Sequence, residues 1–197
     1  MPRPDARAIA GKLRIIGGSL RGSRLAVADA PGLRPTPDRV RETLFNWLMP
    51  VIDGARCLDL FAGTGALGIE ALSRGAAWTD FVETEPRLAQ ALRENLQRLK
   101  QARAAVFGGD ALTLLGSPPR VPYDIVFLDP PFSAGRWEEA AGLLEANEWL
   151  RDGAMVYLEA PVSTQPVVPP SWSLHRESTA GAVRFALYRH PNASAKL

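Results

Sequence analysis

The stretch Leu58-Asp59-Leu60-Phe61-Ala62-Gly63-Thr64-Gly65-Ala66-Leu67-Gly68 passes from an apolar run through a glycine-rich turn into helix-forming residues. Glycines at such a turn let the backbone approach a ligand closely, and the helix that follows offers unpaired N–H groups at its start. Gly63, Gly65 and Gly68 satisfy the G-x-G-x-x-G spacing of a strand–turn–helix unit in a ligand-binding α/β fold. The same alternation continues outward. Strands are predicted at 56–60, 79–83, 104–107, 125–129 and 154–159, with helices at 66–74, 86–100, 111–115 and 136–146. The helix from Pro86 is the clearest, with Leu88, Leu92, Asn95, Leu96 and Leu99 at helical spacing. This order predicts a mostly parallel sheet covered on both faces.

The two ends of the chain break the alternation. Residues 172–177 and 183–189, joined by Ser178-Thr179-Ala180-Gly181, predict an antiparallel hairpin that closes one sheet edge. Near the other end, 13–16 and 23–27 flank Gly17-Gly18-Ser19-Leu20-Arg21-Gly22 and predict a second hairpin. The first dozen residues are polar with two prolines and are expected to be disordered. After Arg34-Pro35-Thr36-Pro37 a helix is expected, capped by Thr36, with Pro37 first and Val40, Leu44, Trp47 and Leu48 on its apolar face.

A chain of 197 residues, 46% hydrophobic, supports one substantial core and is short for two. It contains no apolar run of membrane-spanning length, and its charged N-terminus is unlike a signal peptide, so a cytoplasmic protein is expected. Cys57 is the single cysteine, which excludes an internal disulfide and a cysteine-based zinc site; it reads as a small core residue. The net charge of +2 hides an asymmetry. Residues 1–41 carry nine Lys/Arg against three Asp, a net +6, leaving −4 for the remainder. A basic arm for a polyanion, joined to a domain with another task, fits this distribution; a solvated face is the plainer alternative.

Three acidic residues follow successive predicted strands. Asp59 ends the first, Glu83 lies 20 residues beyond Gly63 at the end of the second, and Asp110 follows Gly108-Gly109 after the third. All fall on the carboxyl edge, where ligands of open α/β sheets bind. Taken singly, Asp110 is a helix cap. Two cofactors suit the glycine turn and Glu83. A nicotinamide dinucleotide would bring its pyrophosphate close to Asp59, which is unfavourable, whereas S-adenosylmethionine carries an ammonium and a sulfonium that favour a carboxylate.

The fourth strand leads directly into Asp129-Pro130-Pro131-Phe132. In isolation this is a strand-terminating turn. It also resembles the (Asp/Asn)-Pro-Pro-(aromatic) motif of methyltransferases acting on amino nitrogens conjugated to a planar ring. Such a nitrogen is a poor nucleophile and must be oriented. Asp129 and the Pro130 carbonyl can each accept one of its N–H bonds, the two prolines fix the backbone, and Phe132 can stack on an unstacked base. Transfer would then be direct, with positioning and electrostatics supplying most of the rate. A carbon-5 pyrimidine methyltransferase would need a catalytic cysteine, and Cys57 lies on the wrong strand. His175 and His190 read as surface or packing residues.

The chain as a whole resembles the bacterial 16S ribosomal RNA guanine-N2 methyltransferase family of RsmD type. The resemblance rests on Arg14-Ile15-Ile16-Gly17-Gly18, on the family-specific run from Arg34 to Leu48, on the glycine turn and on Asp129-Pro130-Pro131-Phe132. It implies a Rossmann-like, seven-stranded class I methyltransferase fold with an antiparallel C-terminal hairpin and a small N-terminal β-hairpin extension. It also implies guanine 966 of 16S RNA as target. On this reading, 1–49 form an RNA-facing extension and 50–197 the methyltransferase domain. By resemblance, S-adenosylmethionine is surrounded by Asp59, Phe61, Ala62, Gly63, Thr64, Gly65, Glu83, Thr84, Asp110 and Ala111. Asp129, Pro130, Pro131 and Phe132 address the guanine, while Arg14, Arg21, Arg34, Thr36 and Arg39 engage RNA. The expected partner is 16S RNA in the small ribosomal subunit or an assembly intermediate, met by a monomer without metal or membrane. Rival readings are an adenine-N6 DNA methyltransferase, an enzyme for protein glutamine amides, an NAD-dependent oxidoreductase, which leaves Asp129-Pro130-Pro131-Phe132 idle, and a silent RNA-binding module.

Overall fold

A computed structural model describes residues 9–28 and 36–192. The main sheet comprises β3 (Arg56–Asp59), β4 (Trp78–Glu83), β5 (Ala104–Gly108), β6 (Tyr123–Leu128), β7 (Leu150–Pro161), β8 (Ser173–Ala180) and β9 (Val183–Arg189). A separate antiparallel hairpin is formed by β1 (Ile9–Arg14) and β2 (Arg24–Ala28). The helices are α1 (Asp38–Leu48), α2 (Ala66–Ser73), α3 (Pro86–Arg98), α4 (Ala111–Leu115) and α5 (Trp137–Ala146). The sheet order is β5-β4-β3-β6-β7-β9-β8; β3 to β7 pair in parallel, and β9 enters antiparallel between β7 and β8. This is the expected Rossmann-like sheet with its C-terminal hairpin.

Side-chain alternation along the central strands builds two cores. Val126 and Leu128 of β6, with Val156 and Leu158 of β7, pack beneath α4 and α5 with Trp137, Leu144 and Trp149. Ile125, Phe127, Met155 and Tyr157 point to the opposite face, where Val40, Leu44, Phe45 and Leu48 of α1 cover them together with Cys57. The helix expected within the 1–49 extension thus shares a core with the sheet. Trp47 is only partly buried and stacks on Phe185, with ring centroids 5.3 Å apart.

The N-terminal hairpin is joined to α2 and α3 by polar contacts. Asn95 of α3 acts like a neighbouring strand, accepting from the Ala26 N–H at 3.0 Å and donating to its carbonyl at 2.9 Å. Glu70 of α2 accepts from the N–H groups of Ile16 (2.9 Å) and Gly17 (2.7 Å). Gly18 has φ +73°, and an added Cβ would run into the Ser73 carbonyl, so this close approach requires glycine.

Several boundaries differ from the sequence reading for local reasons. Ile9–Lys12, expected to be disordered, belong to β1 because β2 supplies backbone partners across a bulge between Ile9 and Gly11. Residues 1–8 lie outside the described part. Thr36 does not cap α1: the helix starts at Asp38 after Pro37, with no side-chain cap. Arg41, counted in the basic arm, is fully buried. Its guanidinium bonds the Arg14 carbonyl at 2.9 Å and Asp38 at 2.6 Å, and so serves packing rather than a polyanion.

Candidate active site

The glycine turn is shaped by two left-handed residues, Gly63 (φ +52°) and Gly65 (φ +76°). Gly65 also sits against Leu92, and Gly68 faces Phe81 so closely that a Cβ at either position would collide. The first two glycines form the turn, and the third lets α2 approach β4. Two carboxylates hold the turn in place. Asp59 accepts from the Gly68 N–H at 3.0 Å, while Glu83 accepts from Gly63 and Glu85 N–H groups, each at 2.7 Å. A carboxylate has about four lone-pair sites, so both acids keep acceptor capacity for a ligand. Asp59 is buried, and burial pushes its carboxyl up to about 7; the Glu83 charge also raises it, while the Gly68 N–H opposes the rise.

Around this turn Ala62, Thr64 and Ala111 are buried, Phe61 is partly buried and Thr84 is exposed. Asp110 does cap α4, accepting from the Thr113 N–H at 3.0 Å, and it also pairs with Arg136. Those contacts hold its carboxyl below the usual range, led by the Thr113 N–H, against desolvation and with Arg136 adding to the fall. Arg136 was not singled out in the sequence. It follows Gly135 (φ +60°), so the loop after Asp129-Pro130-Pro131-Phe132 turns back to the carboxylate after β5. The donor set suits a cation-bearing ligand: Asp59, Glu83 and Asp110 are all acidic, and turn N–H groups of Gly63 and Gly68 are already taken by carboxylates. A pyrophosphate would meet repulsion there, whereas S-adenosylmethionine fits.

Asp129-Pro130-Pro131-Phe132 leaves the end of β6, next to β3. Pro130 is buried, Pro131 is exposed, and Phe132 begins a short 3₁₀ turn. Phe132 is 42% exposed, with its ring centroid 6.1 Å from that of Trp137, which leaves surface for another planar group. Asp129 is half-buried among acids. Its carboxyl is raised well above the ordinary value by desolvation, then by the charges of Glu159 and Asp59, with a Thr36 hydrogen bond opposing.

Glu159 escaped the sequence reading, although the carboxyl-edge rule that selected Asp59 and Glu83 applies equally to it. Leu128 of β6 pairs with Leu158 of β7, so Asp129 and Glu159 are the next residues along adjacent strands. Glu159 is buried and accepts from the Tyr157 hydroxyl at 2.8 Å; desolvation raises its carboxyl, opposed by the Tyr157 and Thr36 hydroxyls. Thr36, expected to face RNA, is buried against this pair.

The other residues expected to meet RNA lie elsewhere. Arg14, Arg21 and Arg39 are exposed, and the first two line a cavity of about 310 Å³ with Ile16, Gly22, Asp38 and Glu42. Arg34 lies outside the described residues. No helix among the described residues is long and apolar enough to cross a membrane, and none of their His, Cys, Asp and Glu side chains cluster as a metal site.

Residues 13–189 match the family described as conserved hypothetical protein 95. The Escherichia coli protein named ribosomal RNA small subunit methyltransferase D is 53% identical over 180 residues, spanning 91% of this chain and 90% of that one. Its Haemophilus influenzae namesake is 46% identical over 190 residues, spanning 95% and 97%. Among solved structures, a proposed methyltransferase of Escherichia coli superposes with a TM-score of 0.86 at 50% identity, covering 92% of this chain and 99% of that one. A proposed methylase of Haemophilus influenzae gives 0.81 at 42% identity, covering 92% and 100%.

Proposed function

The chain belongs to the bacterial small-subunit ribosomal RNA methyltransferase family of RsmD type, and from that premise we propose that it methylates the exocyclic N2 amino group of a guanine in 16S RNA, using S-adenosylmethionine. The observation that carries this reading is the placement of Asp129-Pro130-Pro131-Phe132 at the carboxyl end of β6, next to the strand that feeds the glycine turn. The names of the relatives, which specify small-subunit ribosomal RNA, support the substrate class.

S-adenosylmethionine supplies an electrophilic methyl group on a sulfonium. Asp59, Glu83, Asp110 and the turn from Phe61 to Gly65 would hold it, with Ala62, Thr64, Thr84 and Ala111 beside them. Asp129 accepts one N–H of the guanine amino group and the Pro130 carbonyl accepts the other, which turns the nitrogen lone pair toward the methyl donor. Phe132 stacks on the extruded base. As the new carbon–nitrogen bond forms and the methyl carbon–sulfur bond would break, its electron pair going to sulfur, the nitrogen becomes acidic, and its proton leaves toward Asp129 while the N–H electron pair returns to nitrogen. Rate enhancement comes from orientation and from a carboxylate facing the positive charge that develops on nitrogen.

Arg14, Arg21 and Arg39 supply phosphate contacts, which position RNA and carry little sequence information. Specificity would come from a folded RNA or ribonucleoprotein surface that presents one base, with a small subunit or an assembly intermediate as substrate. The enzyme would act as a cytoplasmic monomer.

Methyl transfer from radiolabelled S-adenosylmethionine to small ribosomal subunits, with naked RNA, DNA and protein extract in parallel, tests the proposal. Label recovered as N2-methylguanosine from subunit RNA is the expected result. Label in N6-methyladenine or glutamine would replace the substrate assignment, and cofactor binding without any transfer would indicate a silent module.

A further inference from the structure

The loop that carries the base-stacking Phe132 returns to the cofactor side through one arginine. It leaves β6 at Asp129 and ends at Arg136, whose carbonyl accepts from the Ala140 N–H at 3.1 Å and so opens α5. Pro130 is buried at the near end, while Pro131 to Gly135 are exposed. At the far end Trp137 is buried and donates its indole N–H to the Glu159 carbonyl at 2.7 Å, and the Phe132 ring lies against it. The Arg136 guanidinium pairs with one oxygen of Asp110, whose other oxygen accepts from the Thr113 N–H at 3.0 Å and the Thr113 hydroxyl at 3.3 Å. β5 and β6 are not neighbours: β4 and β3 stand between them, so three strand spacings of about 4.8 Å separate the two strand ends. The pair thus links loops on either side of the carboxyl edge where Asp59 and Glu83 end β3 and β4. Among the described residues it is the one side-chain bond between the turn 108–111 and the loop 129–136.

We propose that Arg136 is a positioning residue for methyl transfer: by pairing with Asp110 it holds the Phe132 loop, and with it the target base, in register with the cofactor. Donor and acceptor sit on different loops, with the adenosine end against the carboxylate after β5 and the base against Phe132 after β6. In-line transfer depends on their relative placement, and a misplacement of about 1 Å can cost about 100-fold. The tether has two fixed ends, because the Arg136 backbone opens α5 and Asp110 caps α4. Gly135, with its left-handed φ of +60°, turns the chain back so that the arginine can reach the carboxylate. A carboxylate has about four lone-pair sites, so Asp110 keeps acceptor capacity for an adenine amino group beside Arg136 and Thr113. The two side chains are 40% and 38% exposed, so the pair adds little to global stability and its effect is confined to local geometry. The role in catalysis rests on the amino-group reading of Asp129-Pro130-Pro131-Phe132; the tether itself does not.

Two measurements separate those parts. The Ala134 N–H donates to the Pro131 carbonyl at 2.8 Å within the loop, so its exchange with water, followed by NMR without cofactor or RNA, reports the tether. Arg136→Ala should speed that exchange about 2- to 5-fold, the fold-change that an exposed ion pair supports, and leave the amides of β6 unchanged. In methyl transfer to small ribosomal subunits, counted as total label, Arg136→Ala should lower kcat about 10- to 100-fold with the KM for S-adenosylmethionine unchanged. Arg136→Lys, which keeps the charge without the planar fork, should restore part of kcat. Asp110→Asn keeps a cap and an acceptor but loses the charge that faces Arg136, so adding Arg136→Ala to it should cost little more. Wild-type kcat in Arg136→Ala, or losses that simply multiply in the double variant, would overturn the positioning role. So would a loss confined to the KM for subunits, which would make Arg136 a phosphate contact. Label found on a base other than guanine would sink the substrate reading and leave this comparison in force. If the wild type transfers to nothing, the amino-group reading fails and the Ala134 exchange decides the tether alone.

Discussion

Glu70 holds one carboxylate oxygen 3.6 Å from the Arg41 guanidinium while the same side chain accepts from the backbone of Ile16 and Gly17 and from Arg74. Both Arg41 and Glu70 are fully buried, and they join α1, α2 and the N-terminal hairpin at one point. Removing one member of a buried pair costs up to about 3–5 kcal/mol, and here less than a full stranding because Arg41 keeps Asp38 at 2.6 Å. Glu70→Ala should therefore lower the urea midpoint strongly and speed amide exchange at Ile16 and Gly17. A change below about 0.5 kcal/mol, the usual size for a surface substitution, would show that the pair does not secure the hairpin.

The Asp59 carboxyl, raised to about 7 mainly by burial, makes a second prediction with a definite sign. An unfolded chain releases this proton near pH 3.9, roughly. The folded state binds it more tightly, so the contribution of this group to stability is most favourable below about pH 4 and declines as pH rises to about 7. The slope is at most about 1.4 kcal/mol per pH unit. Asp59→Asn should remove that slope from the apo protein. Affinity for S-adenosylmethionine should move the other way, rising from pH 6 to 8 as Asp59 ionises beside the cationic ligand. Calorimetric titration across that range checks it, and pH-independent binding in the wild type would remove Asp59 from the cofactor site.

Asp129 should separate binding from chemistry. Its proposed contact is with the amino nitrogen, so Asp129→Ala should leave S-adenosylmethionine affinity nearly intact. Methyl transfer should drop by about 10²- to 10⁴-fold, the range for losing a positioned acid–base group. Near-wild-type turnover would make the mechanism wrong.

The parallel sheet was legible because apolar strands and amphipathic helices alternate, and the glycine turn marked its ligand-binding edge. Where the reading slipped, a tertiary contact outweighed a local signal. Arg151-Asp152-Gly153 interrupt the apolar run before the strand predicted at 154–159, yet backbone pairing persists through an irregularity to Tyr123 and Leu150. β6 begins earlier than expected because Tyr123 is buried, with its hydroxyl donating to Asp80 at 2.6 Å and its ring stacked on Trp149. It ends before Asp129 because Pro130 has no N–H for the ladder. Thr36 carries a capping signal, but its side chain is buried and leaves α1 without a side-chain cap. The pattern of Glu159 at a strand end was available in the sequence; its pairing with Asp129 depended on strand order, which periodicity alone does not give.

Charge counting presents the same difficulty for the basic arm, because it cannot distinguish Arg41 from Arg21 and Arg39. The first is fully buried among protein partners and the other two are exposed. Removing one cation that neutralises a phosphate should reduce the slope of log affinity against log salt by about 0.7–0.9. Arg21→Glu and Arg39→Glu should each weaken RNA binding and flatten that slope, most visibly at low salt. Arg41→Met should reduce stability by removing one of the two cations beside buried Glu70, with Arg74 remaining, and by breaking the bonds to Asp38 and the Arg14 carbonyl, yet keep the slope of the folded protein unchanged. Filter binding over a salt series, performed below the unfolding temperature of each variant, distinguishes the two effects. A folded Arg41→Met protein whose slope flattens as much as that of Arg21→Glu would place this guanidinium against RNA and contradict its burial.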